Sequence, residues 1–226
     1  MLSFAGFDLK YPIWITGGGG KTSLMYYFAK NIPGPLLLTT TTKLAFPPRK
    51  DLPFYRVENL EELASKIFLK EKLLAGKQVK GDKIIGFSPA EVCEFYQKYR
   101  VPVVVEADGS NGRPLKIHFE HEPALPPNPE TVIAVVGLSA LNKPYSSHFI
   151  HRAAEEGKII TPKTLVELVV KGRYFPLNTS KKVVFLNQID VIENQLLEEV
   201  LELFKKFPEY LVTYGSLREG LVWAVR

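Results

Sequence analysis

A run of four glycines, set between a short apolar stretch and an amphipathic one, constrains this 226-residue chain more than any other feature. Residues 11–16 read as a buried strand. Gly17, Gly18, Gly19 and Gly20 follow, and from Lys21 onward Leu24, Tyr27 and Phe28 recur at one-face helical spacing. A strand that turns through glycines into a helix leaves backbone N–H groups pointing forward from the helix start, and glycine supplies the positive φ that so tight a turn requires. Such a junction needs a sheet behind it and a helix ahead of it. It predicts an α/β fold.

The rest of the chain repeats that alternation. Strand-like runs fall at residues 36–40, 101–106, 131–137, 182–187 and 210–214, the last read as the final central strand. Helices are expected from Asn59, where Glu62 completes a capping box, through to Gly76; from Ser88, with Pro89 and Glu91 in its first turn; from Thr161 and Pro162; and over residues 191–206. The pattern predicts a mostly parallel sheet flanked by helices, of P-loop NTPase type, in one domain over residues 1–226. The Gly-, Pro- and Asn-rich stretch at about 108–130 is too long for an ordinary connection and reads as a functional loop or a small insertion.

Composition narrows the class. With 46% apolar and 23% charged residues the chain can bury a full core without disulfides. Its single cysteine excludes a Cys-based metal cluster. No charged-then-apolar leader precedes the first strand, and no apolar run approaches the ~18 residues of a membrane span. A cytoplasmic protein without a membrane partner is expected. The net charge of +5 suits a small polyanion better than nucleic acid, because Lys21, Lys43, Arg113 and Lys116 all fall in loops near the glycine run. The lysines between residues 66 and 83 read as a solvated face.

The glycine loop reads as a phosphate site. Gly17, Gly18, Gly19, Gly20, Lys21, Thr22 and Ser23 form the short G-x-x-G-K-T version of the phosphate loop, since Ile15 stands where the full pattern has its first glycine. In this form it resembles the loop of the Mur ligases. Lys21 would reach the terminal phosphates and Thr22 would place its hydroxyl on Mg²⁺. Glu106 and Asp108, two apart at a strand end, would face the same way and order metal and water. Thr40, within the run Thr39, Thr40, Thr41 and Thr42, lies where ligands of open α/β sheets bind and is a further metal candidate. Arg113, in the loop after Asp108, would stabilise charge during phosphoryl transfer. Asn187 and Asp190 echo the guanine-reading N-K-x-D signature with Gln188 in place of lysine, and Asp190 with Glu193 would also cap the next helix. The pairs His118/His121 and His148/His151, at H-x-x-H spacing, are candidate ligands for a divalent metal such as zinc.

Taken in order, the glycine loop, the tetrathreonine, the Glu106-Ala107-Asp108-Gly109-Ser110 segment with Gly112-Arg113-Pro114-Leu115-Lys116, His121-Glu122-Pro123, His151-Arg152 and residues 186–190 resemble the selenium-dependent hydroxylase accessory proteins. The tetrathreonine and the E-A-D-G-S segment make the match specific. Gln188 and Ser139 depart from the pattern, standing where a lysine and an acid are expected. The resemblance implies a nucleotide-binding protein, loaded with Mg²⁺ and GTP or ATP, that serves a molybdenum hydroxylase or its cofactor-insertion machinery. Nucleoside triphosphate hydrolysis that drives this step is the leading expectation. Two alternatives stand beside it: an ATP-dependent ligase or transferase of Mur-like type, and a non-enzymatic carrier switched by nucleotide, with the histidine pairs as ligands.

Overall fold

The computed structural model describes residues 2–4, 7–45, 52–68, 72–153 and 157–224. Nine strands form one sheet. In chain order they are β1 (Ile13–Gly17), β2 (Leu36–Thr40), β3 (Phe54–Arg56), β4 (Lys72–Gly76), β5 (Val103–Glu106), β6 (Thr131–Gly137), β7 (Lys181–Asn187), β8 (Tyr210–Ser216) and β9 (Leu221–Ala224). Across the sheet they run β9-β8-β7-β6-β1-β5-β2-β4-β3. Every neighbouring pair is parallel except β8 with β9. The expected α/β class with a large, mostly parallel sheet is therefore present.

The helices are α1 (Lys21–Asn31), α2 (Ala64–Phe68), α3 (Pro89–Tyr99), α4 (Pro162–Lys171) and α5 (Asn194–Phe204). Strand residues alternate between faces. Ile13, Ile15, Val104, Ile133 and Phe185 pack with Leu24, Met25 and Phe28 of α1. The opposite face presents Trp14, Val103 and Val105 to Val92 and Phe95 of α3, and Val136, Val184 and Leu186 to α4 and α5. Central strands buried on both faces explain their near-continuous Val, Ile and Leu runs.

Three readings of the sequence need correction. The helix expected from Asn59 to Gly76 is short: its capping box is present, but it caps a 3₁₀ turn, Leu60–Leu63, that continues only through α2. Residues 72–76 instead form β4, because Leu73, Leu74 and Ala75 are buried on both sides and a short all-apolar run has no period to tell strand from helix. The helix expected from residue 191 starts at Asn194, its N-cap is Glu193 without a side-chain bond, and Asp190 sits in the separate 3₁₀ turn Ile189–Val191, so the Asp190/Glu193 capping box does not form. Beyond β8 the chain adds the antiparallel edge strand β9.

Residues 108–130 run across the carboxyl end of the sheet. Within them Leu115–Lys116 pairs in parallel with Ile150–His151. Among the described residues, no helix is long and apolar enough to cross a membrane.

Candidate functional site

The carboxyl ends of β1, β2 and β5 are in register, with Glu106 opposite both Ile15 and Thr40. This places the glycine loop beside the end of β5, where the strand order reverses and ligands of open sheets bind. The loop is tightly seated. Gly17 has φ +93, and a Cβ there would lie 2.3 Å from the Val135 carbonyl; Gly19 has φ +77, and its Cβ would lie 2.4 Å from Gly137 Cα. Only glycine fits either place.

The loop's N–H groups divide in two. Gly17 donates to Asp108 Oδ2 at 2.8 Å, Gly18 to the Val135 carbonyl and Gly19 to the Arg113 carbonyl, both at 2.9 Å. These first three glycines are thus anchored to the protein. The next N–H groups belong to the start of α1, whose first turn has no intrahelical partners. That helix begins at Gly20 with no side-chain cap and no acidic residue in its first turn, an arrangement suited to an anion.

Lys21 and Thr22 connect this helix start to the two carboxylates. Lys21 is buried, and its Nζ donates to the Gly17 carbonyl at 2.6 Å and to Ser110 Oγ at 3.1 Å. The same Nζ lies 3.1 Å from Asp108 Oδ1 and 4.0 Å from Glu106 Oε1. Thr22 Oγ1 donates to Glu106 Oε2 at 2.8 Å. Glu106 and Asp108 do share a side, as their spacing implies, but their surroundings differ. Glu106 lines a cavity of about 1330 Å³ together with Gly20, Lys21 and Thr22. Asp108 lies behind that wall, fully buried.

Asp108 collects donors. Beyond Gly17 and Lys21 it pairs with His118 Nε2, and Lys116 Nζ stands 3.8 Å away. Burial works to raise its pKa, but Lys21, His118 and Lys116 overcome it and hold the carboxyl well below the usual range. For Glu106 the balance is reversed: burial pushes the carboxyl up, and Lys21 and Thr22 offset only part of that. Tyr174 closes the site from below. It donates to the Lys116 carbonyl at 2.7 Å, its ring meets His118 edge-on at 4.6 Å, and burial pushes its hydroxyl well above the ordinary value.

Lys116, His118 and Tyr174 form one buried cluster that no sequence pattern announces. Lys116 was expected beside phosphate, yet its side chain is buried and donates to the Gly109 carbonyl at 2.7 Å and lies 3.0 Å from Glu122 Oε2. Nothing local marks such a group. It is made by contacts 58 to 158 residues apart between Tyr174 and Lys116 or Thr16.

Other candidates take different places. Thr39, Thr40 and Thr41 donate to the carbonyls of Ala75, Glu106 and Ala124, at 2.8 to 2.9 Å, so these hydroxyls staple the main chain around the site. Thr42, Lys43 and Ser23 reach the cavity wall. Arg113 points its side chain to the Ser147 and Asn111 carbonyls, and it contributes to the loop through its own carbonyl. Asn187 donates to the Gly19 carbonyl at 2.7 Å and accepts from Leu217 N–H at 3.1 Å, tying β7 to the loop and to the turn after β8. Gln188 takes a left-handed backbone, φ 71, and accepts from Ser139 Oγ. Asp190 is exposed and lines the cavity. The histidine pairs separate: His118 is buried against Asp108, His121 and His148 are exposed, and His151 lines the cavity. Among the described residues, no group of three or more His, Cys, Asp or Glu side chains is arranged to hold a metal ion.

A family model described as "YqeC protein" matches residues 13–154. The chain belongs to the YqeC family. It is also 30% identical over 225 aligned residues, 92% of this chain and 88% of the relative, to a protein of Escherichia coli (strain K12) described as "Uncharacterized protein YqeC". No solved structure matches. The part of the chain matched by the YqeC model takes in the glycine loop, Glu106, Asp108, His118 and His151, and ends before Asn187 and Asp190.

Proposed function

We propose that this protein is a P-loop NTPase-like enzyme that binds Mg²⁺ with a purine nucleoside triphosphate and cleaves its terminal phosphoanhydride bond. The observation that carries this reading is the 2.8 Å bond from Thr22 Oγ1 to Glu106 Oε2 beside the uncapped start of α1. A hydroxyl and a carboxylate at a helix N-terminus are oxygen donors that suit Mg²⁺, and they lie next to the N–H groups that would take the phosphates. Thr22 and Glu106 would hold the ion, which when bound would neutralise charge on the phosphate oxygens.

The chain's own residues do the rest. Lys21 leaves the Ser110 hydroxyl for a phosphate oxygen and keeps Asp108 behind it as a fixed counter-charge. Asp108, held by Gly17 N–H, Lys21 and His118 with Lys116 farther off at 3.8 Å, positions Gly17 and Lys21 and stays charged. Glu106, with its elevated pKa, is the carboxylate that faces the cavity. Asn187 fixes the loop, and Asp190, exposed on the cavity wall, is the carboxylate that would read a base edge. Guanine offers N1–H and a 2-amino group to such a carboxylate, so the Asp190 position favours GTP over ATP. The family resemblance adds the setting: a cytoplasmic accessory step in maturation of a selenium-dependent molybdenum hydroxylase.

Phosphate release from GTP and from ATP, with and without Mg²⁺, tests the reading on the wild type and on Glu106→Gln and Asp108→Asn. Release that requires Mg²⁺ and is lost in Glu106→Gln is expected. Release by Glu106→Gln at the wild-type rate would overturn the assignment of that carboxylate.

A further inference from the structure

The cavity is larger than one nucleotide needs. Its volume of about 1330 Å³ exceeds the ~300 to 1,000 Å³ that ordinarily encloses one small molecule. A nucleotide held as above lies between the start of α1 and the turns after β7 and β8. Past the end of its phosphates the cavity continues, bounded by Glu106, residues 109–112, Glu122, His151 and Arg152.

This far part has a chemistry of its own. Lys116 and Arg152 share the Glu122 carboxylate, and Arg113 is held by two backbone carbonyls. Lys43 and Lys83 stand exposed on the outer rim. In the inner part the cations are already engaged, Lys116 and Arg152 with Glu122 and Arg113 with main-chain carbonyls, so an anion entering there competes with existing partners. A neutral hydroxyl group would need no such exchange.

His151 is built into this wall. Its backbone pairs with Leu115–Lys116, its carbonyl accepts from Ile117 N–H at 3.0 Å, and the chain turns away at Arg152 with φ 68. The ring is half-buried. Burial, with Lys116, Arg152 and Arg113 nearby and Glu122 opposing, lowers its pKa, so the imidazole is neutral and able to accept a proton at neutral pH.

We propose that the far part of the cavity is an acceptor subsite, in which the γ-phosphoryl group passes to a neutral hydroxyl of a small molecule and His151 is the general base. This rests on the nucleotide reading above and names where the phosphoryl group goes. The acceptor oxygen bonds to the γ-phosphorus as the bond from that phosphorus to the bridging oxygen breaks. The bonding pair leaves with the nucleoside diphosphate, and the acceptor proton goes to His151 and then to solvent.

The test uses the full chain, Mg²⁺, GTP or ATP radiolabelled at the γ-phosphate, and the ultrafiltered small-molecule fraction of a bacterial extract, with products separated by thin-layer chromatography. Wild type is expected to move label into a phosphate ester. His151→Gln and His151→Asn are expected to lose about 100-fold or more of that transfer while keeping the nucleotide-induced rise in unfolding temperature. Label released solely as inorganic phosphate, or transferred equally well by the His151 variants, overturns the acceptor subsite. If no nucleotide raises the unfolding temperature of the wild type, the nucleotide reading itself has failed and the subsite falls with it.

Discussion

The two ends of the cavity are made differently. At the β5 end, Lys21, Glu106, Asp108, Lys116 and His118 are all at least nine-tenths buried and joined in one network of charges. At the β7 and β8 end, Asn187 is the buried anchor and Asp190 is exposed. A buried ion network is costly to desolvate and is kept rigid by the partners it must have. An open turn carries no such desolvation cost. The YqeC family model covers the first end and stops short of the second. The difference separates a rigid, buried end that carries the proposed phosphate site from an open end that carries the proposed base contact, and four substitutions probe it.

The largest effect is expected at Asp108. Asp108→Asn leaves Lys21 and Lys116 buried beside a neutral amide, which costs about 3 to 5 kcal/mol. At roughly 2 to 4 °C per kcal/mol for this size, the unfolding temperature falls by about 6 to 20 °C. Because the folded pKa of Asp108 is depressed, its contribution is present above the ordinary carboxylate pKa and is lost as pH falls toward the folded value. The deficit of Asp108→Asn is therefore expected to be greatest at neutral pH and to shrink below about pH 4. A deficit that grows on acidification contradicts the network.

Asn187→Ala comes next. It strips a donor from the Gly19 carbonyl and an acceptor from Leu217 N–H, at a cost of about 1 to 3 kcal/mol. Chemical denaturation measures that loss, and nucleotide affinity is expected to fall with it because the loop is no longer tied to β7. A variant as stable as wild type would mean that the two ends are not joined through this residue.

Glu106→Gln is expected to cost function without costing stability. The raised pKa of Glu106 means that its contribution is present below the ordinary value and lost as pH rises through the folded one. At neutral pH the variant should equal or exceed the wild type in its urea midpoint, an advantage that disappears in acid. Asp190→Asn, at the open end, should leave the unfolding temperature within about 2 °C. Competition between GTP and ATP should shift by about 10- to 150-fold toward ATP, since hydrogen bonds to a charged group are worth ~1.5 to 3 kcal/mol. An unchanged preference removes Asp190 from base reading.

The same contrast marks how far the sequence could be read. The glycine loop, Lys21, Thr22, the strand-end carboxylates and the Ser88 and Thr161 caps are local patterns, and each stands where its spacing implies. Residues 72–76 are not separable into strand or helix from the sequence, because three successive buried apolar residues carry no period. Lys116, His118 and Tyr174 were invisible as a group because their meeting depends on the path of residues 108–122 over the sheet end. The tetrathreonine was legible as a strand end, but whether a hydroxyl faces a ligand or a carbonyl is set by neighbouring strands.

The central claim is that the start of α1, with Lys21 and Thr22, holds a Mg²⁺-bound triphosphate. Thermal unfolding of the wild type and Lys21→Ala with GTP, ATP and CTP, each with and without Mg²⁺, tests it most directly. Ligand at a hundred times its dissociation constant adds about 2.7 kcal/mol, a rise of roughly 5 to 10 °C. The wild type is expected to show that rise with a purine triphosphate in the presence of Mg²⁺, and Lys21→Ala to lose most of it whatever its starting temperature. No rise with any nucleotide, or an equal rise in Lys21→Ala, would contradict the claim.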